Sequence, residues 1–375
     1  MVYSTSASFE ANRALRAALR DHGTDLESIT NLTTHSASLL VRQSLYAVVG
    51  IIAMLVVYRI DYERYKKYAK PLLWASFFLL MLCYLQDPGK GARRWIRLGP
   101  INLQASEVAK LAMILYMAKQ LTERRAELRS LVRGFLPSLC ILGLFLGAIV
   151  FEPDLGAAVM LGMIVYIMWF VSGMRITHLV SVVALVFIPG VILAIATKGY
   201  RMDRVTSFLD PFTDLKGKGW QLSQSLISIG TGGLSGLGLG KGPQKYQFLS
   251  EGHTDFIYAG ICEEFGMIGG ITIFLIYSIF MIQGLRIASK APDMYGSLIA
   301  TGISVMIGIQ AFVNMYVVLG LVPTKGLTLP LVSYGGSSLI INCIAVGILM
   351  NISRYTEIAS AVPRREALSS APSTA

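Results

Sequence analysis

Runs of close to twenty apolar residues recur along this chain, and no other feature limits its fold as much. They cover 39–58, 71–86, 105–121, 134–151, 156–173, 177–197, 256–285, 297–320 and 333–353. Runs of that length suit helices crossing a hydrocarbon layer roughly 30 Å thick. Mean hydropathy is +0.59, and 54% of residues are hydrophobic against 15% charged. That balance excludes an ordinary soluble domain. The sequence reads as an all-α integral membrane protein, a polytopic helical bundle of nine spans. A large loop, 198–255, separates the spans 177–197 and 256–285.

Charge orients the spans. A net charge of +11 could signal nucleic acid, but the cations mostly occupy short loops and no basic-aromatic motif accompanies them. No nucleic-acid partner is expected. The stretches DYERYKKYAK (61–70), KQLTERRAELRSLVR (119–133) and RRE (364–366) read as cytoplasmic. That places 87–104, 152–155, 198–255 and 321–332 outside. Lys90, Arg93, Arg94 and Arg97 then sit in a short external loop, against the positive-inside tendency. Arginines holding an anion would explain the departure; solvation of the loop is the plainer alternative. Cys83, Cys140, Cys262 and Cys343 stand singly in apolar runs, without zinc-ligand spacing or a disulfide framework, and read as small core residues.

Short external pieces rich in Gly, Pro, Ser and Thr interrupt the helical order at GPINLQASE (99–107), FEPDLG (151–156) and GLVPTKGLTLPLVSYGGSS (320–338). Irregular backbone at membrane depth survives only where protein covers it or water reaches it. These pieces are therefore expected to converge on a cavity open to the outside. No clear internal repeat is visible, and the tail after Arg354 reads as disordered. No cleavable signal peptide is visible. With nine spans and a cytoplasmic C-terminus, residue 1 falls on the far side, so a preceding helix is expected to be missing.

Chemistry is sought where polar groups meet these runs. Glu107 and Lys110 lie three residues apart near the start of an apolar helix, so they share a face and can neutralise each other. A structural ion pair and a substrate-channel role are both open. GLGLGKGPQ (236–244) fails the phosphate-loop spacing, because Ser235 stands where its first glycine belongs. Its glycines predict a tight loop whose backbone N–H groups could face an anion. LSEGHTDFIYAGICEEFG (249–266) carries Glu251, Asp255, Glu263 and Glu264 at the mouth of a span. From a helix start near Asp255, Glu264 lies about 13 Å deeper and about 180° around the axis. Two carboxylates working on one glycosidic bond must face each other within about 10 Å, so these two cannot be such a pair. Asp255 or Thr254 could cap the helix. A single carboxylate nevertheless suffices where the leaving group is a phosphate or pyrophosphate, which departs unprotonated. A base for the attacking hydroxyl and cations for the developing charge are then enough. Asp255 with Arg93, Arg94, Lys241, Lys245 and Lys325 fits that demand.

Four segments together carry a resemblance. GARRWIRLGPINLQASEVAKLA (91–112), FEPDLGAA (151–158), GWQLSQSLISIGTGGLSGLGLGKGPQKYQFLSEGHTDFIYAGICEEFG (219–266) and GLVPTKGLTLPLVSYGGSSLI (320–340) closely resemble, in the same order, the SEDS family (shape, elongation, division and sporulation). The likeness runs from about Leu39 to Arg354. The loop PTKGLTLPLVSYGG is similar to the cell-division branch, FtsW, since the elongation branch, RodA, tends to lack its lysine.

The resemblance implies a ten-span fold with most of the first span missing here. Residues 1–38 would be a remnant of that span and an external segment, 39–353 the membrane domain and 354–375 a cytoplasmic tail. It implies a peptidoglycan glycosyltransferase polymerising lipid II (an undecaprenyl-pyrophosphate disaccharide-peptide) on the outer face of the bacterial cytoplasmic membrane, at the division septum. Asp255 falls on the family's essential aspartate and would deprotonate the acceptor's 4-hydroxyl, with inversion at the donor's anomeric carbon. Substrate contacts are implied for Arg93, Arg94, Glu107, Lys110, Asp154, Trp220, Gln221, Gln224, Lys245, His253, Thr254, Lys325, Ser333 and Tyr334. A divalent cation, magnesium or manganese, could join the pyrophosphates. The implied partners are a class B penicillin-binding transpeptidase and other division-complex membrane proteins.

The sequence departs from the family pattern at Ala105, Glu152, Ser250, Gly252 and Tyr316. Ala105, where proline is usual, is expected to relax a kinked helix start, and Tyr316 to add bulk near the outer mouth. Two other roles suit the same family likeness: a lipid II flippase, and a non-catalytic scaffold activating a partner synthase.

Overall fold

The computed structural model describes residues 26–85, 95–98, 101–152, 154–190, 192, 199–212, 219–242 and 254–369. Helix dominates them, as it must where an apolar solvent offers backbone groups no partners outside the segment. In chain order the elements are α1 (Leu26–Arg59), α2 (Tyr62–Leu85), β1 (Trp95–Leu98), β2 (Ile101–Gln104), α3 (Ala105–Glu123), α4 (Leu136–Phe151) and α5 (Leu155–Val171). There follow α6 (Ile176–Val182), α7 (Gly199–Leu209), α8 (Trp220–Gly232), α9 (Ile257–Lys290), α10 (Met294–Val318) and α11 (Gly336–Ser369).

Among the described residues, six stretches are long and apolar enough to cross a membrane: Val41–Arg59, Tyr62–Leu85, Leu131–Phe151, Ile257–Lys290, Met294–Val318 and Gly336–Thr356. The apolar helices Leu155–Val171 and Ile176–Gly190 are shorter. α3 occupies the remaining run and buries nearly its whole length, Glu107 and Lys110 included. Each of the nine sequence runs thus coincides with a helix among the described residues. On α1, Leu45, Val48, Ile52 and Leu55 stand exposed, as lipid contact requires and water would penalise. The chain is a multi-pass membrane protein.

Two compact units divide the chain. One takes the chain up to Val49, Leu185–Ile279 and Ile307–Ile340; the other takes Gly50–Ala184, Phe280–Met306 and the chain from Ile341.

In the second unit, α2 lies along α3, and α4 along α5. Its polar hub is Tyr62, buried at the start of α2. The Tyr62 N–H donates to Asn351 Oδ1 at 3.0 Å and its hydroxyl to Asp293 Oδ1 at 2.7 Å. Asn351 Nδ2 in turn donates to Tyr58 O. The α1–α2 turn, the residue before α10 and the middle of α11 are thereby joined by hydrogen bonds. β1 and β2 form an antiparallel hairpin with Trp95 opposite Gln104 and Leu98 opposite Ile101. Of the piece 99–107, expected as a short external re-entry, residues 101–107 are β2 followed directly by the first turn of α3. Ala105 is the first residue of that helix and Gln104 before it is extended.

In the first unit, α8 and the glycine-rich turn behind it run beside α9 as far as Met267 and Ile268, roughly 15 Å along the helix from Ile257. A correction concerns the tail, where α11 continues to Ser369 in place of the expected disorder after Arg354.

Candidate active site

α9 is two helices in series. Gly266 has φ 67° and ψ −163°, a conformation that interrupts the helix and that only glycine adopts without strain. A break in a spanning helix frees carbonyls before it and N–H groups after it. In an unbroken helix Met267 N–H would bond Glu263 O, and Ile268 N–H would bond Glu264 O. Here Met267 N–H donates to Gly233 O at 2.9 Å and Ile268 N–H to Leu234 O at 3.3 Å. Glu263 O accepts from Leu237 N and Glu264 O from Gly238 N, both at 3.0 Å. The turn 233–238 is thus inserted into the break and satisfies all four backbone groups that the two lost bonds leave. The approach is close: a Cβ on Gly236 would lie 2.2 Å from Glu264 O, and Gly236 itself has φ +79°.

The side chains of the two acids continue the pattern. Glu263 is fully buried and Glu264 is 1% exposed. Glu263 Oε2 accepts from Ser228 Oγ of α8 at 3.0 Å, and Glu264 Oε1 accepts from Gly240 N at 3.2 Å. Gly242 presses on the Glu263 carboxylate, since a Cβ there would sit 2.6 Å from its Cδ. The anion expected to face the glycine loop is the protein's own. Glu263 and Glu264, which the sequence left without a role, hold this loop.

Asp255 stands at the outer end of the first half-helix, in the turn before Ile257. The helix begins two residues later, so Asp255 precedes the capping position. The chain 320–335 folds over this turn. Asn314 on α10 donates through Nδ2 to Asp255 O at 2.7 Å and to Leu327 O. One turn earlier, Gln310 Nε2 donates to Thr328 O at 3.1 Å. Ser333 Oγ accepts from Leu329 N at 2.8 Å and donates to Thr254 O. Tyr277, from the second half of α9, donates its hydroxyl to Pro330 O. Leu331, at φ 63°, alone among non-glycine described residues takes a left-handed backbone, a strain of about 1–3 kcal/mol that only a well-fastened loop sustains.

The loop meets the carboxylate at Gly326, where an added Cβ would lie 2.8 Å from Asp255 Oδ2. Lys325 and Leu327 close a tight turn around that glycine through Leu327 N–H to Lys325 O at 3.0 Å. Asp255 itself is half-buried. A partly solvated carboxylate, pinned through its own and its neighbour's main-chain carbonyls, can accept a proton without its backbone moving. Burial pushes the Tyr334 hydroxyl up from its ordinary pKa, opposed by Arg42, so Tyr334 is a neutral donor at physiological pH. An apolar cleft of 580 Å³ lies in the same unit, lined by Ile261, Phe265, Ile268, Ile273 and Val332 with Ser235 and Thr272.

The matching family model is the cell cycle protein family of FtsW, RodA and SpoVE, over residues 24–358. The chain belongs to that family. A probable peptidoglycan glycosyltransferase FtsW from a Geobacter species is 45% identical over 83% of this chain and 86% of its own. Stage V sporulation protein E of Bacillus subtilis is 44% identical over 84% and 87%. Among solved structures, a peptidoglycan synthase complex described as coordinating polymerization and crosslinking matches with a TM-score of 0.72. Its identity is 32%, over 85% of this chain and 90% of the other. The rod shape determining protein RodA of Thermus thermophilus matches at 0.63 and 29%, over 84% and 88%.

The residues singled out in the sequence fall into three groups in this family member. Asp255, Thr254, Lys325, Ser333 and Tyr334 are gathered in one unit, with Trp220, Gln221 and Gln224 on the first turns of α8 in that unit. Gln224 is buried beside Ser225, whose Oγ donates to Val318 O at 2.8 Å, whereas Gln221 is exposed. Glu107, Lys110 and Asp154 belong to the other unit. Lys110 Nζ lies 2.8 Å from Glu107 Oε1, and Glu107 Oε2 and Ser106 Oγ are buried without a hydrogen-bond partner among the described residues. Asp154 Oδ1 accepts from Ala157 N at 3.0 Å and caps α5, which accounts for that carboxylate without a substrate. Arg93, Arg94, Lys245 and His253 lie outside the described residues.

Asn314, Gln310, Ser228 and Gly326 were missed. Gln310 and Asn314 did carry a signal, as two amides spaced i, i+4 on one face of an apolar run.

Proposed function

We propose that the chain is a peptidoglycan glycosyltransferase that extends glycan strands from a lipid-linked donor, with Asp255 as its general base. The observation carrying the base assignment is the fastening of Thr254 and Asp255 by Ser333 and Asn314, which holds a partly exposed carboxylate against Gly326. Asp255 takes the proton of the acceptor sugar's 4-hydroxyl as that oxygen bonds to the donor's anomeric carbon. The bond from that carbon to the pyrophosphate oxygen breaks on the opposite face, which inverts the centre. The leaving group departs as an anion, so no acid partner is required. Lys325, beside Gly326, and the cations Arg93, Arg94 and Lys245 would balance its charge.

Lipid II is the substrate this reading favours. Its soluble head suits the external turn, and the apolar cleft beside the first half-helix of α9 supports a lipid-linked donor. Among the described residues no three His, Cys, Asp or Glu side chains group to hold a metal ion; a divalent cation joining the pyrophosphates would be held largely by the substrate's own oxygens, and the step above uses none. A crosslinking transpeptidase of the penicillin-binding type is the natural partner, acting on the new strand at the division septum.

The test is polymerisation of labelled lipid II by the full chain in nanodiscs with such a partner. Asp255→Asn, matched in size, should abolish polymer while leaving insertion and melting unchanged. Undiminished polymer from that variant would remove Asp255 from the mechanism. Labelled lipid II crossing vesicle leaflets without polymer would favour transport.

A further inference from the structure

We infer that Glu263 and Glu264 are positioning residues for the Asp255 site, an inference that rests on the glycosyltransferase reading above. Asp255 heads a half-helix of about nine residues, 257–265, cut off at Gly266 from the rest of α9. Such a segment is too short to be stable alone, so its position depends on what holds its two ends. The outer end is fastened by Ser333 and Asn314. At the inner end, Glu263 and Glu264 meet α8 and the glycine-rich turn behind it. Ser228 and Gly240 bond the two carboxylates, Leu237 and Gly238 bond the two carbonyls, and Gly242 packs on Glu263.

Two buried carboxylates are a costly way to fill apolar space. Acceptors of that strength are used where the donors they hold would otherwise pull away, because a charged acceptor bonds about twice as strongly as a neutral one. Here the donors belong to a glycine-rich turn with little side-chain packing of its own. Leu234, Leu237 and Leu239 are all exposed, so the hydrogen bonds rather than apolar contacts fix the turn. The carboxylates clamp the turn into the break; the filled break fixes the half-helix; the half-helix carries Asp255.

The experiment compares Glu264→Ala, Glu264→Gln, Glu263→Ala and Ser228→Ala in the full chain in nanodiscs. Hydrogen exchange and steady-state lipid II polymerisation are followed, with Asp255→Asn in parallel. Exchange over 233–242 should rise in each Ala variant while Met294–Val318 keeps its protection. Turnover should fall about tenfold or more with the KM nearly unchanged, as expected when a reacting group is displaced by about 1 Å. Glu264→Gln keeps an oxygen for Gly240 N–H and should recover most of both losses. Asp255→Asn should lose polymerisation with 233–242 still protected. Unchanged exchange in the Ala variants would overturn the clamp. Raised exchange with full turnover would overturn the positioning role while the glycosyltransferase reading stands. Activity retained in Asp255→Asn would overturn that reading, and the positioning role with it. Ser228→Ala removes one hydroxyl only and gives an answer if the acid variants do not fold.

Discussion

Asn314 offers a sharp probe of how the Asp255 site is held, because its side chain acts only as a donor. Nδ2 gives one hydrogen to Asp255 O at 2.7 Å and one to Leu327 O at 2.5 Å. Oδ1 is buried without a hydrogen-bond partner among the described residues. Asn314→Asp therefore preserves the shape and removes both bonds, while Asn314→Ala removes them and leaves a gap. Each bond contributes about 0.5–1.5 kcal/mol net, so the pair amounts to about 1–3 kcal/mol. If that fastening matters fully in the transition state, kcat should drop roughly 5- to 150-fold. Asn314→Asp should be at least as impaired as Asn314→Ala, because an ionised carboxylate would face two carbonyls with nothing to donate. The assay is lipid II polymerisation under steady state, with KM read separately to distinguish positioning from binding. If both variants polymerise within about twofold of the parent, the fastening does not control the base and the site argument is wrong.

Two further outcomes are expected. Glu107 and Lys110 form an ion pair whose side chains are 6% and 1% exposed, so Glu107→Gln or Lys110→Met alone should cost about 3–5 kcal/mol, and Glu107→Leu with Lys110→Met far less. Thermal unfolding in nanodiscs measures this, and a double variant that melts normally yet makes no polymer would assign the pair to substrate rather than to stability. Gly266→Ala would place a Cβ 2.4 Å from Gly236 N and Leu234 O at φ +67°, costing at least about 1–3 kcal/mol in backbone strain alone. Gly147→Ala in α4, with open space around it, should be tolerated, and equal melting of the two variants would refute the tight insertion described for α9.

The sequence determined the class of structure and the position of every long helix, because hydropathy and length act locally and the bilayer enforces them. It also singled out Asp255, once the order of four motifs pointed to a family; physics alone had left that residue level with a helix cap. Tertiary structure decided the rest. Nothing local in GTGGLSGLGLGKG says that it fills a gap in a helix thirty residues later, since the break at Gly266 and the turn that mends it have meaning only together. The same holds for Glu263 and Glu264, which read as stray charges until the donors of α8 and the glycine turn stand opposite them. Asn314 and Gly326 likewise become site residues only when the chain 320–335 closes over the turn at Asp255. Hydropathy is a property of a segment, whereas a hydrogen bond between distant residues exists only after folding has brought its donor and acceptor together.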